Sequence, residues 1–349
     1  MPDSVYIVAT GARTPVGLQA ATSAAAVRAG ISGLGEHPFL VDSVGDPMPC
    51  ALDALLDPSL AGPERLLALI ETALGEACLP LTAAAAPCPQ LVVYLGLPEF
   101  RPGFSAQDAE SVRSALARLE GLPMKLLEVN VLPQGHAAGL SALSVATAEI
   151  HKGRLEACLI GGVDSYFQPE TMAWLDAHRQ LAGTVSRSGF VPGEGAGFCL
   201  LASERFCQRM KLPALARVLA VGSGNETKLV KTEEVCLGEG LTKAVQDALD
   251  SMPTVEAINA VICDINGERY RGEEWGFVCL RLSHYFDDPT AYLSPADCWG
   301  DMGAASGPLF AMLVCEAAAR GYSKGPRVML WASSEGGERS VAVLETTKR

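Results

Sequence analysis

Nine residues, Gly189-Phe190-Val191-Pro192-Gly193-Glu194-Gly195-Ala196-Gly197, hold four glycines and one acid, and an apolar run begins at Phe198. Glycines at that density turn the backbone tightly against its neighbours, and they set Glu194 where only backbone can approach. A second concentration of charge, Glu268, Arg269, Tyr270, Arg271, Glu273 and Glu274, comes just after an apolar run. It reads either as a salt-bridged loop over a pocket mouth or as an interface with a partner. His178 beside Arg179 and His151 beside Lys152 fall in helical surface patterns and read as solvated side chains rather than ligands. Trp174, Trp275, Trp299 and Trp331 read as packing residues. Eleven cysteines occur without a C-x-x-C pair, and no other ligand spacing clusters, so no metal, cofactor or disulfide framework is expected.

These residues have to be positioned by an α/β chain. Val5 to Thr10, Leu91 to Leu97, Leu126 to Val131, Ala157 to Gly162 and Phe198 to Ala202 read as buried strands between longer helical patterns. Ala216 to Val221, Ala260 to Cys263, Val328 to Trp331 and Val341 to Leu344 repeat the style after Pro213. Their continuous hydrophobicity predicts parallel sheets covered on both faces, in two halves spanning residues 1–212 and 213–349. The halves resemble each other locally. Ala137-Ala138-Gly139 opens a helical stretch closed by Gly153, and Ala304-Ala305-Ser306-Gly307 opens one closed by Gly321, with 14 residues from glycine to glycine in each. Small residues in the first turn let those helices approach other backbone closely. Leu140, Leu143, Val145, Leu309, Met312 and Leu313 are apolar enough to be buried, so both helices are expected at the centre. Ala83 to Pro89 and Pro98 to Phe104 read as loops without nameable chemistry.

The bulk composition excludes several classes. With 349 residues, 49% apolar and 19% charged, the chain is folded rather than disordered. No run of about 18 apolar residues exists to span a membrane, and a cytoplasmic location is expected. A net charge of −13 opposes nucleic acid, anionic membranes and an acidic carrier protein. The densest basic candidate, Arg205, Arg209, Lys211 and Arg217, reads as a solvated face.

The run Gly189 to Gly197 resembles the G-F-V-x-G-E-G-A-G segment of β-ketoacyl synthases, and further segments follow in the same order. Val5 to Gly17 is similar to that family's opening strand and turn, and Leu159 to Asp164 to its I-x-G-G-x-(D/E) strand end. Gly300 to Gly307 is similar to its G-H-x-x-G-A-x-G turn, and Ser334 to Arg339 to its closing loop. The resemblance covers most of the chain. It implies a thiolase-like five-layered αβαβα fold with two pseudo-duplicated halves, normally dimeric, with a tunnel for an acyl chain and pantetheine. It also implies a helix-start cysteine that accepts the acyl group and two histidines that serve decarboxylation. The chain departs from the family at each of these points. His136 stands at the cysteine position in Gln134 to Leu140, Asn266 at the first histidine and Asp301 at the second. Ala296 replaces the family's lysine and Glu335 its gating phenylalanine. Gln134, Glu335, Gly336 and Gly337 are the expected substrate-side residues.

Two functions of different class follow from that resemblance. One is a non-condensing paralogue in fatty-acid or polyketide-type metabolism that pairs with itself or with an active synthase and handles carrier-linked chains. Chain-length factors are such partners, although they typically carry glutamine where this chain has His136. The other is an acyl-thioester hydrolase or acyltransferase without a covalent cysteine. Here His136, kept neutral by the helix dipole, acts with Asn266 and Asp301. A binding protein for an acyl chain or small molecule in the old tunnel is a third, narrower possibility. The bland alternative is a dead pocket whose polar residues satisfy one another.

Overall fold

All nine apolar runs form strands in the computed structural model, which describes residues 4–83, 89–183, 186–229, 234–254 and 256–347. The strands are β1 (Val5–Arg13), β2 (Gly35–Val41), β3 (Pro47–Cys50), β4 (Gln90–Leu97), β5 (Lys125–Pro133), β6 (Ala157–Ser165), β7 (Glu194–Ser203), β8 (Ala216–Asn225), β9 (Ala260–Cys263), β10 (Arg327–Ser333) and β11 (Glu338–Thr346). The helices are α1 (Ala20–Arg28), α2 (Gly62–Cys78), α3 (Ala106–Leu116), α4 (Ala138–His151), α5 (Pro169–Ala177), α6 (Glu204–Met210), α7 (Glu239–Ser251), α8 (Arg269–Leu282), α9 (Ala296–Trp299) and α10 (Ser306–Ala319). Residues 84–88, within the stretch read as a loop from Ala83 to Pro89, lie outside the described residues.

Nine strands form one hydrogen-bonded sheet in the order β5-β4-β6-β7-β1-β8-β11-β10-β9, while β2 and β3 pair separately. The expectation of parallel sheets needs correction. Among the described strands only β4–β5, β4–β6 and β9–β10 run parallel, and the central strands from β6 across to β10 pair antiparallel. Their unbroken hydrophobicity has a different cause, which is cover by helices on both faces. The duplication is visible in the strand order. The sequence β4-β6-β7-β1 in the first half is repeated by β9-β10-β11-β8 in the second. β5 is a strand, but as the outermost one it is mostly half-buried, with only Val129 fully buried.

Three large apolar cores lie between the sheet and its helices, and a smaller fourth packs β3 against α5. The middle core joins both halves of the sheet through α4 and α10. A second lies between the first half and α2 and α3, and a third between the second half and α7 and α8. The two central helices touch because of glycine. A Cβ on Gly139 would stand 2.3 Å from Pro308 Cδ, and one on Gly307 would stand 2.7 Å from the Leu140 nitrogen. Leu140, Leu143, Leu309, Met312 and Leu313 are buried in that contact, each contributing about 1.5–3 kcal/mol of transfer free energy. Val145, expected among them, is 41% exposed on the outer side of α4. No helix among the described residues is long and apolar enough to cross a membrane.

Candidate functional site

The chain reaches α4 through Gly135, whose φ of +60° permits a tight turn, and then a single 3-10 turn carrying His136. Nothing in that turn caps the helix from within. Ser334 of the closing loop supplies the cap by accepting from the Ala137 N–H at 2.8 Å and donating to the Gln134 carbonyl. His136 is thereby held, buried, at the start of a central helix.

Asp301 is delivered to it by the glycine-rich run. The Asp301 N–H donates to the Val191 carbonyl at 2.7 Å, and the Gly193 N–H donates to the Asp301 carbonyl at 2.9 Å. A Cβ on Gly193 would lie 2.5 Å from the Trp299 carbonyl, so this approach requires glycine. Glu194 differs from its expected setting. It is fully buried, yet its carboxylate takes Arg65 bidentately at 2.6 and 2.7 Å along with the Ser165 hydroxyl and the Asp53 N–H.

The Asp301 carboxylate is met by four donors. His136 Nε2 lies 2.8 and 2.9 Å from its two oxygens, the Tyr166 hydroxyl and the Gly303 N–H donate at 2.8 Å, and Asn266 Nδ2 completes the set. Burial alone would raise this carboxyl, but His136 and the other donors hold it far below the usual carboxylate range. Burial and the Arg271 guanidinium press the His136 imidazole down, and the Asp301 carboxylate outweighs them, so the imidazole is raised above its ordinary value. That direction is opposite to the one expected from the helix dipole, because a contact charge acts more strongly than a partial one.

Arg271 was hidden in the charged cluster from Glu268 to Glu274. That cluster is no loop: α8 begins at Arg269, and its inner face is set by Glu268, Arg271, Glu274 and Trp275. Arg269 and Glu273 pair with each other in solvent. Arg271, fully buried, reaches Asp264 at 2.5 Å, the Ser333 carbonyl at 2.7 Å and Glu268 at 3.2 Å, and its Nη2 lies 3.2 Å from His136 Nε2. The spacing of three residues between Glu268, Arg271 and Glu274 was the available signal, since it puts all three on one helix face. Arg101, from the loop at Pro98 to Phe104, pairs with Asp164 at 2.6 Å, and its guanidinium lies 4.3 Å from the Tyr166 ring centroid. Arg101 and Arg271 thus pair with Asp164 and with Asp264 and Glu268, while the His136 imidazole lies against Asp301.

The structure brings His136, Asn266 and Asp301 into contact. In front of His136 lies a cavity of about 50 Å³ between Glu99, Arg101, Tyr166, Trp174, Phe190 and Glu335, with room for a few waters. Glu335 reaches into this space from the closing loop and is hydrogen-bonded by Gln180. The Gly336 N–H donates to Glu99 at 3.0 Å, and Gly337, at φ +112°, makes the turn. Gln134 does not line this cavity; its carbonyl accepts from Ser334 of the closing loop. Ala296 lies across a void of about 10 Å³ from Asn266 and Asp301. Among the described residues no cysteine lines the His136 cavity, and buried thiols such as Cys158 and Cys199 are pushed up to about 12. Trp174 borders the cavity, whereas Trp275, Trp299 and Trp331 are core residues.

Residues 135–206, from the His136 turn through β7, match the family model of the β-ketoacyl synthase N-terminal domain. Across the whole chain the fold superimposes with a TM-score of 0.80 on the apo AntDE:AntF structure, a type II PKS acyl-carrier protein in complex with its ketosynthase bound to the hexaketide. That match has 16% identity and covers 100% of both chains. The chain has the fold of the ketosynthases. The ishigamide ketosynthase/chain length factor is similar at 17% identity and a TM-score of 0.80, covering 99% of this chain and 100% of that one. A ketosynthase from module 6 of the Bacillus subtilis 168 bacillaene synthase is similar at 16% and 0.80, covering 99% and 73%. No curated protein matches this ketosynthase-like chain by sequence.

Proposed function

We propose that this ketosynthase-like chain does not condense acyl groups. In this reading it is a structural partner in polyketide-type assembly, associated with a copy of itself or an active synthase and with an acyl carrier protein. The observation that carries the reading is the saturation of Asp301 by four donors, with His136 held between Asp301 and Arg271. A base needs a lone pair aimed at substrate. Here the carboxylate has none free, and the imidazole faces one acid and one guanidinium. At the position where the resemblance puts the family's helix-start thiol this chain carries His136, and the cavity of about 50 Å³ before it is small for an acyl chain. The similar structures of an acyl-carrier protein with its ketosynthase and of a ketosynthase/chain length factor agree with a partner role.

The test is incubation of the purified protein with a panel of acyl-carrier and acyl-coenzyme A thioesters, following intact mass and free-thiol release together. The expected result is neither adduct nor release. Thiol release that disappears in His136→Ala would overturn the proposal and establish a histidine-dependent hydrolase.

A further inference from the structure

At the outer edge of the second half, the sheet position that β5 fills in the first half is reduced to Leu293. Its N–H donates to the Val261 carbonyl at 2.8 Å, and its carbonyl accepts from the Cys263 N–H at 3.0 Å. Beside this gap a cavity of about 230 Å³ lies between α1, α10 and the inner side of β9 and β10. Val27, Ile262, Leu313, Val314 and Val328 give it an apolar wall. Its polar lining comes from the exposed Arg28 and Lys324, with Tyr322 and Ser323 beside them.

Arg28 lies over the Tyr322 ring at 4.1 Å, and neither cation forms an ion pair among the described residues. Asp288 is within electrostatic range of Lys324, but its carboxylate takes the Thr290 N–H and hydroxyl. Two exposed cations that form no direct ion pair among the described residues thus flank an apolar void in a chain of net charge −13. Dry apolar cavities of roughly 150 Å³ hold a benzene ring, so this volume accommodates a somewhat larger apolar group.

We propose that this cavity binds a small aliphatic carboxylate, its chain in the apolar space between α1, α10 and β9 and its head group against Arg28 and Lys324. The site is separate from His136, because it lies on Ala260 to Ile262 rather than at the Asp264 end of β9. It is therefore independent of whether the chain condenses.

Calorimetric titration with octanoate, 1-octanol and acetate tests it. Octanoate should saturate a single site, 1-octanol should bind roughly tenfold more weakly for want of the charge-assisted contacts, and acetate should not bind measurably. The double variant Arg28→Glu/Lys324→Glu should weaken octanoate by at least that factor and leave 1-octanol unchanged. Ala317→Trp, which fills the cavity, should abolish both. Equal binding of octanoate and octanol, or octanoate binding untouched by charge reversal, would overturn the proposal. Because the charge reversal sits on exposed positions, it decides the matter even if Ala317→Trp lowers the Tm.

Discussion

Four donors on one carboxylate leave Asp301 no lone pair to offer a water or a substrate, and they make it expensive to remove. Asp301→Asn keeps the shape but leaves Arg271 and His136 facing fewer negative charges in a buried site. It should cost about 3–5 kcal/mol of stability, read from urea unfolding. A loss below about 1 kcal/mol would show that the hub is not structural. The pH dependence follows from the same contact. Because the folded-state His136 is raised above 6.5, its contribution is fully present below that pH and fades as pH rises through the higher folded value. Asp301 is depressed, so its contribution is present above the ordinary Asp range near 3.8 and is lost only in strong acid. Stability should therefore decline on the alkaline side of 6.5, and His136→Gln should flatten that decline in unfolding curves collected across the range.

Between elements, the decisive contact is α4 against α10, where each helix start presents glycine to the other. Gly139→Ala puts a methyl 2.3 Å from Pro308 Cδ, and overpacking of that kind should cost about 1–3 kcal/mol and lower the Tm. Gly75→Ala in α2 is the matched control. A Cβ there meets nothing within 4 Å, so the substitution should gain roughly 0.5–1 kcal/mol from helix propensity. If both variants lowered the Tm equally, close helix approach would not be the reason for Gly139. The Ser334 cap works at the same scale, since it ties the closing loop to the turn that presents His136.

At the scale of the molecule, β5 ends the sheet with one partner strand and with Leu127 55% exposed. An unpaired, partly apolar edge is a template for another chain. With the proposed partner role, Leu127→Glu should shift the assembly toward monomer in light-scattering chromatography without lowering the Tm. An unchanged mass would place the partner elsewhere. The overall acidity does not produce a basic carrier-binding face from the Arg205 to Arg217 segment, where Arg209 pairs with Glu156 and Arg217 with Glu345.

The strands, the two central helices and the glycine-rich turn were legible in the sequence because each is declared locally, by an apolar run, by small residues at helix spacing or by glycine density. The strand directions were not, since a strand covered on both faces is equally apolar whether its neighbours run parallel or antiparallel. His136, Asn266 and Asp301 could be named by resemblance. What surrounds them was legible only in part: the spacing of Glu268, Arg271 and Glu274 marked one helix face, while Tyr166, Arg101 and Glu99 come from segments that only the folded chain turns toward His136. The direction in which the His136 pKa shifts was likewise decided only in three dimensions. The sequence put the imidazole at a helix N-terminus, which opposes its charge, and the fold put Asp301 at 2.8 Å, which outweighs that opposition.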